Sequence, residues 1–199
     1  AAGRVLARFG FMVVPVSGAG CCGALDLHLG ASGSALQAVR RNIDAWWPHV
    51  EAGVEAIVMT ASGCGVTVRE YGKLLENDPA YAAKAKRISG LTRDISELLE
   101  PLAVEELGRG VELRVAFQSP CTLQHGQKIT GIVENILRRA GLTVVPTRDG
   151  HLCCGAAGTY SLLQPVLSRQ LLKNKLENLE RHSPDVIATA NIGCLAHLE

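Results

Sequence analysis

The chain contains two copies of one pattern, and this repeat constrains its fold more than any other feature. Arg8-Phe-Gly-Phe-Met-Val-Val-Pro15 recurs as Arg139-Ala-Gly-Leu-Thr-Val-Val-Pro146, an offset of 131 residues. Cys21-Cys22-Gly23 recurs as Cys153-Cys154-Gly155 at 132, and Ala61-Ser-Gly-Cys64 as Asn191-Ile-Gly-Cys194 at 130. Each copy predicts a helix ending in glycine, at Gly10 and Gly141, as helix C-termini prefer. A β-branched run follows over 11–16 and 142–147, then the Cys-Cys-Gly turn. A long helix comes next, over 36–52 and 163–181, with Leu167, Leu171, Leu172, Leu176 and Leu179 at helical spacing. A second apolar strand closes each copy at 55–60 and 185–190.

Strands alternating with helices imply βαβ units and a parallel sheet. The expected fold class is therefore α/β: two repeat-related units with largely parallel sheets and flanking helices, pseudo-twofold related. The boundary falls between 1–100 and 101–199. The stretch 76–110, with Asn77-Asp78-Pro79 and Gly108-Arg109-Gly110, reads as a junction that includes helices. The second copy also opens on a leading strand over 112–117, followed by Ser119-Pro120-Cys121. The counterpart of that strand and cysteine would fall before residue 1. The chain is thus expected to be an N-terminally truncated piece of a longer protein, with Leu198-Glu199 compatible with a cloning remnant.

Composition narrows the chemistry. Twenty basic and 19 acidic residues leave a net charge of +1. A nucleic-acid partner would call for a clustered basic face interleaved with aromatics. Lys84-Ala-Lys86-Arg87 and Arg138-Arg139 read instead as solvated helix faces. No apolar run reaches the roughly 18 residues of a membrane span, and Ala1-Ala-Gly-Arg4 has no signal-peptide pattern. The expectation is a cytoplasmic chain, peripheral at an inner membrane only through partners. Seven cysteines in such a chain argue for reduced thiols rather than a disulfide framework. Neighbours in sequence also bridge poorly.

Every cysteine follows a predicted strand within a few residues. In a parallel sheet the carboxyl ends of the strands share one edge, where ligands bind. Cys121, Cys153, Cys154 and Cys194 are therefore expected to converge, with His197 as a fifth donor. Cys21, Cys22 and Cys64 form the partial set of the first copy. Cys64 and Cys194 sit in glycine-flanked turns that open helices, where backbone amides favour the thiolate. A lone cysteine such as Cys121 is ordinarily core packing, but repeated adjacent pairs at matching turns are not. His125 is a candidate for orienting the site, whereas His28, His49, His151 and His182 read as solvated. Trp46-Trp47 reads as a packing contact. Gly18-Ala-Gly20-Cys-Cys-Gly23 matches the dinucleotide fingerprint literally. Its copy Gly150-His-Leu-Cys-Cys-Gly155 drops the middle glycine and keeps both cysteines, so the unit is Cys-Cys-Gly. Thiol-rich sites suit iron–sulfur clusters or zinc. The distant spacing favours a cluster, and structural zinc stays open as the alternative.

Cys121…Cys153-Cys154-Gly155…Cys194-x-x-His197, with Cys21-Cys22-Gly23…Cys64, resembles the cysteine-rich CCG domain. That domain occurs in heterodisulfide reductase B-type subunits, lactate-utilisation proteins, anaerobic glycerol-3-phosphate dehydrogenase C-type subunits and glycolate oxidase iron–sulfur subunits. Gly20-Cys-Cys-Gly-Ala-Leu25, Ser119-Pro-Cys-Thr-Leu-Gln-His125 and Thr189-Ala-Asn-Ile-Gly-Cys194-Leu-Ala-His197 look most like the last group. The resemblance implies an upstream ferredoxin-like module and a [4Fe-4S] cluster, or zinc, on the cysteines. It also implies electron relay from a flavin-containing dehydrogenase subunit that oxidises glycolate, with a quinone among the acceptors. The hydroxyacid itself would be oxidised elsewhere, since the chain shows no base or nucleophile constellation for that step. The family pattern ends Cys-x-x-Cys, whereas this chain has His197 in the second copy and Thr67 in the first. The resemblance therefore carries a four-cysteine site on the second copy more directly than a five-cysteine one.

Overall fold

A computed structural model of the chain describes residues 1–107 and 110–199. Gly108 and Arg109 of the expected junction lie outside the described residues. The chain forms two units, Ala1–Ile95 and Ser96–Glu199.

In the first unit the elements run α1 (Ala2–Arg8), α2 (Ala24–His28), α3 (Ser32–Glu51), β1 (Ile57–Met59), α4 (Ser62–Arg69), α5 (Tyr71–Leu74), α6 (Ala82–Leu91) and β2 (Thr92–Asp94). Helix α7 (Ile95–Leu99) follows. The second unit then runs β3 (Arg114–Gln118), a π-helical turn at Thr122–Gly126, α8 (Ile132–Arg139), β4 (Thr143–Val145), α9 (Tyr160–Leu163), α10 (Pro165–Glu180), β5 (Val186–Thr189) and α11 (Ile192–Leu198). All strand pairing is parallel, as expected for an α/β chain. The sheet orders are β1-β2 and β4-β3-β5. Helices α1 and α8 stop just before Gly10 and Gly141, which take φ of +83° and +92°.

One expected strand does not form. Residues 11–16 stay irregular, although their copy supplies β4. A parallel strand is held by hydrogen bonds to a neighbour. β4 finds that neighbour in β3, in the register Arg114↔Thr143 to Ala116↔Val145. Among the described residues no strand lies beside Met12, Val13 and Val14, and Met12 is 90% exposed. Conversely, β2 arises inside the expected junction. Thr92-Arg93-Asp94 carries no apolar alternation, yet it pairs with β1 and buries Thr92 and Asp94.

The core of the first unit gathers Val39 and Ile43 of α3 with Val68, Tyr71, Leu75 and Ile88. Trp46 stacks on Tyr71 at 6.3 Å, which makes it a packing residue. In the second unit Leu179 of α10 is buried against Ala116 and Val145 of the sheet. Leu179→Ala removes the apex of that contact and is expected to lower the unfolding free energy by about 2–5 kcal/mol, read by denaturant titration. At the far end of the sheet Thr189 Oγ1 donates to Gln118 Oε1 at 2.6 Å, and Gln118 is 1% exposed. This cross-strand bond pins the carboxyl ends of β3 and β5, from which Cys121 and Cys194 depart. No helix among the described residues is long and apolar enough to cross a membrane.

Candidate metal centre

Because β4, β3 and β5 run parallel, the loops after them share one edge, and the second-unit cysteines meet there. Cys121 follows β3 and leads into the π-helical turn. Cys153 and Cys154 lie on the loop between β4 and α9, and Cys194 lies in the first turn of α11. The four thiols form a hydrogen-bonded row. Cys121 donates to Cys153, and Cys154 Sγ, beside Cys153, donates to Cys194 Sγ at 3.4 Å. Gly155 N–H donates to Cys153 Sγ at 3.3 Å, and Asn191 Nδ2 to Cys194 Sγ at 3.6 Å.

The row alternates in proton affinity. The hydrogen bond from Cys121 and the neighbouring Cys154 thiol, then the Gly155 amide and the Lys175 charge, hold Cys153 far below the usual thiol range against the opposing effect of burial. Donation from Cys154 brings Cys194 down to about 7, with Asn191 and Lys175 adding to it. Cys121 and Cys154 are pushed up, because they keep the protons they share and because they are buried. Thiolate is the form that ligates metal, and N–H donors aimed at sulfur support it. The donor set thus fits a soft, thiophilic group. Among the described residues no three His, Cys, Asp or Glu side chains close around one point as they would for a single bound ion.

The Cys-Cys-Gly turn is seated on the helix that follows it. Gly155 has φ +97°, and a Cβ there would lie 2.5 Å from the Ser168 carbonyl of α10. Gly23 repeats this at φ +85°, with the Ala35 carbonyl of α3 at 2.9 Å. Both turns demand glycine because the turn and helix backbones touch. Gly23, the last glycine of the dinucleotide spacing, is required for this reason. Ser168 Oγ donates to Gly155 O at 2.9 Å and lies 3.2 Å from His197 Nε2. His197 therefore sits against the turn, with Nε2 engaged by a hydroxyl. His125 Nε2 lies 3.1 Å from the carbonyl oxygen of His151, which places His125 beside the same loop. His28, His151 and His182 are exposed and His49 is half-buried.

The first unit assembles fewer thiols. Cys22 is buried, Cys64 half-buried and Cys21 exposed. Cys64 donates to Cys22, which brings the Cys22 thiol down to about 6 and pushes Cys64 up. The turn is held by a neutral network. Asn42 Nδ2 donates to Cys21 O at 2.9 Å and to the Tyr71 hydroxyl at 3.0 Å, and Tyr71 donates to Cys22 O at 3.0 Å. Tyr71 is fully buried, and burial pushes its phenol up. Tyr71→Phe leaves two buried polar groups short of a partner. It is expected to cost about 1–3 kcal/mol of stability, measured by denaturant unfolding.

Several of these residues were not singled out from sequence. Lys175 is 3% exposed, and its ammonium donates to Gly150 O at 3.0 Å and Leu152 O at 2.8 Å. Burial lowers its pKa while the neighbouring thiolates raise it. A signal for it exists: Lys175 stands at i+4 between Leu171 and Leu179, inside the apolar stripe of its helix. Asn42, Tyr71 and Ser168 carry no comparable mark.

The family model described as "CCG: Cysteine-rich domain" matches residues 1–69 and 115–199, one segment in each unit. The chain is 53% identical over 198 residues to the "Glycolate oxidase iron-sulfur subunit" of Escherichia coli (strain K12), covering all of this chain and 49% of that protein. It is 29% identical over 192 residues to the "Probable glycolate oxidase iron-sulfur subunit" of Bacillus subtilis (strain 168), covering 94% of this chain and 42% of that protein. "Lactate utilization protein A" of Geobacillus kaustophilus is 27% identical over 200 residues, with 98% and 80% covered. The chain spans about half the length of the two glycolate oxidase subunits. With the family model covering most of its length in two segments, each holding a Cys-Cys-Gly turn, the chain belongs to the cysteine-rich CCG domain family.

Proposed function

We propose that this chain is the iron–sulfur electron-transfer part of a flavin-dependent 2-hydroxyacid dehydrogenase, with glycolate as the substrate of the whole complex. The observation that carries the reading is the row of four thiols at the carboxyl edge of β4-β3-β5. The names of the glycolate oxidase subunits support it. Cys121, Cys153, Cys154 and Cys194 would hold a [4Fe-4S] cluster, with His197 as a fifth candidate that would exchange its Ser168 contact for metal. Cys21, Cys22 and Cys64 are the corresponding partial set in the first of two repeats, with the repeat boundary near residue 100.

A bound cluster supplies one-electron redox chemistry. The residues of this chain do the rest. The N–H groups of Gly155 and Asn191 steady thiolate sulfur, the half-buried loop limits water, and Lys175 places positive charge beside anionic ligands. Next to the Cys-Cys-Gly turn, Leu162, Leu163 and Val166 are each more than two-thirds exposed. Such an apolar surface beside a redox site suits a subunit contact, here with the flavin-containing dehydrogenase subunit. That partner would hold this chain at the cytoplasmic face of a membrane whose quinone accepts the electrons.

Anaerobic addition of glycolate to the assembled complex tests the reading. Bleaching of the visible iron–sulfur absorption on the time scale of turnover is the expected result. Absorption that responds to dithionite and stays unchanged with glycolate would contradict the substrate assignment.

A further inference from the structure

The two Cys-Cys turns are gripped from equivalent helix positions by side chains of different charge. The close approaches of Gly23 to Ala35 and of Gly155 to Ser168 align the two helices at an offset of 133. At that offset Asn42 of α3 and Lys175 of α10 coincide. Both are buried, and both reach the backbone just ahead of or at the first cysteine of the turn. Asn42 accepts from Gly20 N–H at 2.7 Å and donates to Cys21 O. Lys175 donates to the carbonyls of Gly150 and Leu152. The position therefore serves to anchor the loop in both units. An amide suffices for anchoring in the first unit, so the ammonium in the second does something an amide does not.

The cost of burying an ammonium makes that choice informative. A buried cation is strongly disfavoured unless an anion or a good set of acceptors accompanies it. Among the described residues no acidic side chain pairs with Lys175, and the thiolates of Cys154, Cys153, Cys194 and Cys121 are the charges beside it. In the first unit the neighbouring cation, Arg41, lies on an exposed residue with its guanidinium over Gly20. There it is screened by solvent.

We infer that Lys175 is a positioning and charge-compensating residue of the second-unit centre: it fixes the Cys153-Cys154 loop through its two carbonyl bonds and offsets the negative charge of a thiolate-ligated group. The positioning half stands on this chain alone, and the compensating half rests on the proposed cluster. A fixed positive charge favours the reduced, more negative state of such a centre and so raises its potential.

Two variants of the full-length protein separate the halves. Lys175→Gln keeps hydrogen-bond donors and removes the charge; Lys175→Met removes both. Lys175→Gln is expected to retain iron and sulfide. In a redox titration its reduced-to-oxidised ratio at fixed ambient potential should fall about tenfold, a shift of about 59 mV for one electron. Lys175→Met is expected to speed amide hydrogen exchange across residues 150–155 by at least about tenfold in metal-free protein, because both carbonyl bonds that hold the loop are lost. Wild-type exchange in Lys175→Met would overturn the positioning role, with or without iron in the protein. A wild-type potential in Lys175→Gln would overturn the compensating role. If the wild-type protein holds no iron or sulfide, the proposed function and the compensating role fail together, and the exchange measurement alone decides the positioning role.

Discussion

Gly155→Ala is expected to lower the stability of the second unit by about 2–6 kcal/mol. Two effects contribute. At φ +97° an L side chain is strained, at a cost of about 1–3 kcal/mol. The added methyl would then lie 2.5 Å from the Ser168 carbonyl and 3.2 Å from both Leu171 Cβ and His197 Nε2. Overpacking of that kind costs a further 1–3 kcal/mol or so. A backbone carbonyl in the first turn of α10 cannot step aside as a flexible side chain would, so the loop has to move. Domains are stable by only about 5–15 kcal/mol, so the variant should populate partly unfolded forms. Urea unfolding of metal-free protein measures this without interference from any bound group. A midpoint equal to that of the wild type would show that the turn and α10 do not pack as described.

Cys154→Ser should separate stability from metal binding. Cys154 occupies the middle of the thiol row, beside Cys153 and donating to Cys194 at 3.4 Å. Serine preserves a donor at nearly the same volume, so metal-free protein is expected to lose no more than about 1 kcal/mol. Its oxygen is a harder donor with little affinity for a thiophilic centre. Changing outer-shell partners alone weakens metal sites by roughly 10–100-fold, so loss of a ligand should exceed the upper figure. Iron and acid-labile sulfide per chain, measured after anaerobic purification and desalting, should fall by about four each relative to the wild type. Retention of both at wild-type levels would remove Cys154 from the ligand set.

The repeat made most of the fold legible before any coordinate was known. Offsets near 131 place the two Cys-Cys-Gly turns, the long helices α3 and α10 and the strands β1, β4 and β5, while β3 is read from its own apolar run. The two misses have physical causes. Residues 11–16 have the composition of a strand, but a strand exists only through its neighbour, and composition cannot supply one. Thr92-Arg93-Asp94 has no strand-like composition, and it becomes β2 because β1 offers an edge. For the site, convergence of the cysteines followed from parallel topology alone. Asn42, Tyr71 and Ser168 were invisible because what they hold is backbone, and backbone contacts leave no mark in a residue pattern. Lys175 was readable in principle, as a charge inside an apolar stripe. The spacing of Cys194 and His197 suggests a shared metal, and His197 lies against the same turn with Nε2 at 3.2 Å from the Ser168 hydroxyl.

The most direct test of the central claim is elemental. Full-length protein purified without oxygen is analysed for iron, acid-labile sulfide and zinc, beside a variant with Cys121, Cys153, Cys154 and Cys194 all changed to serine. The account predicts that the variant holds about four iron and about four sulfide fewer per chain than the wild type, as one four-iron cluster requires. Equal iron and sulfide in the two proteins, or a difference only in zinc, would contradict it.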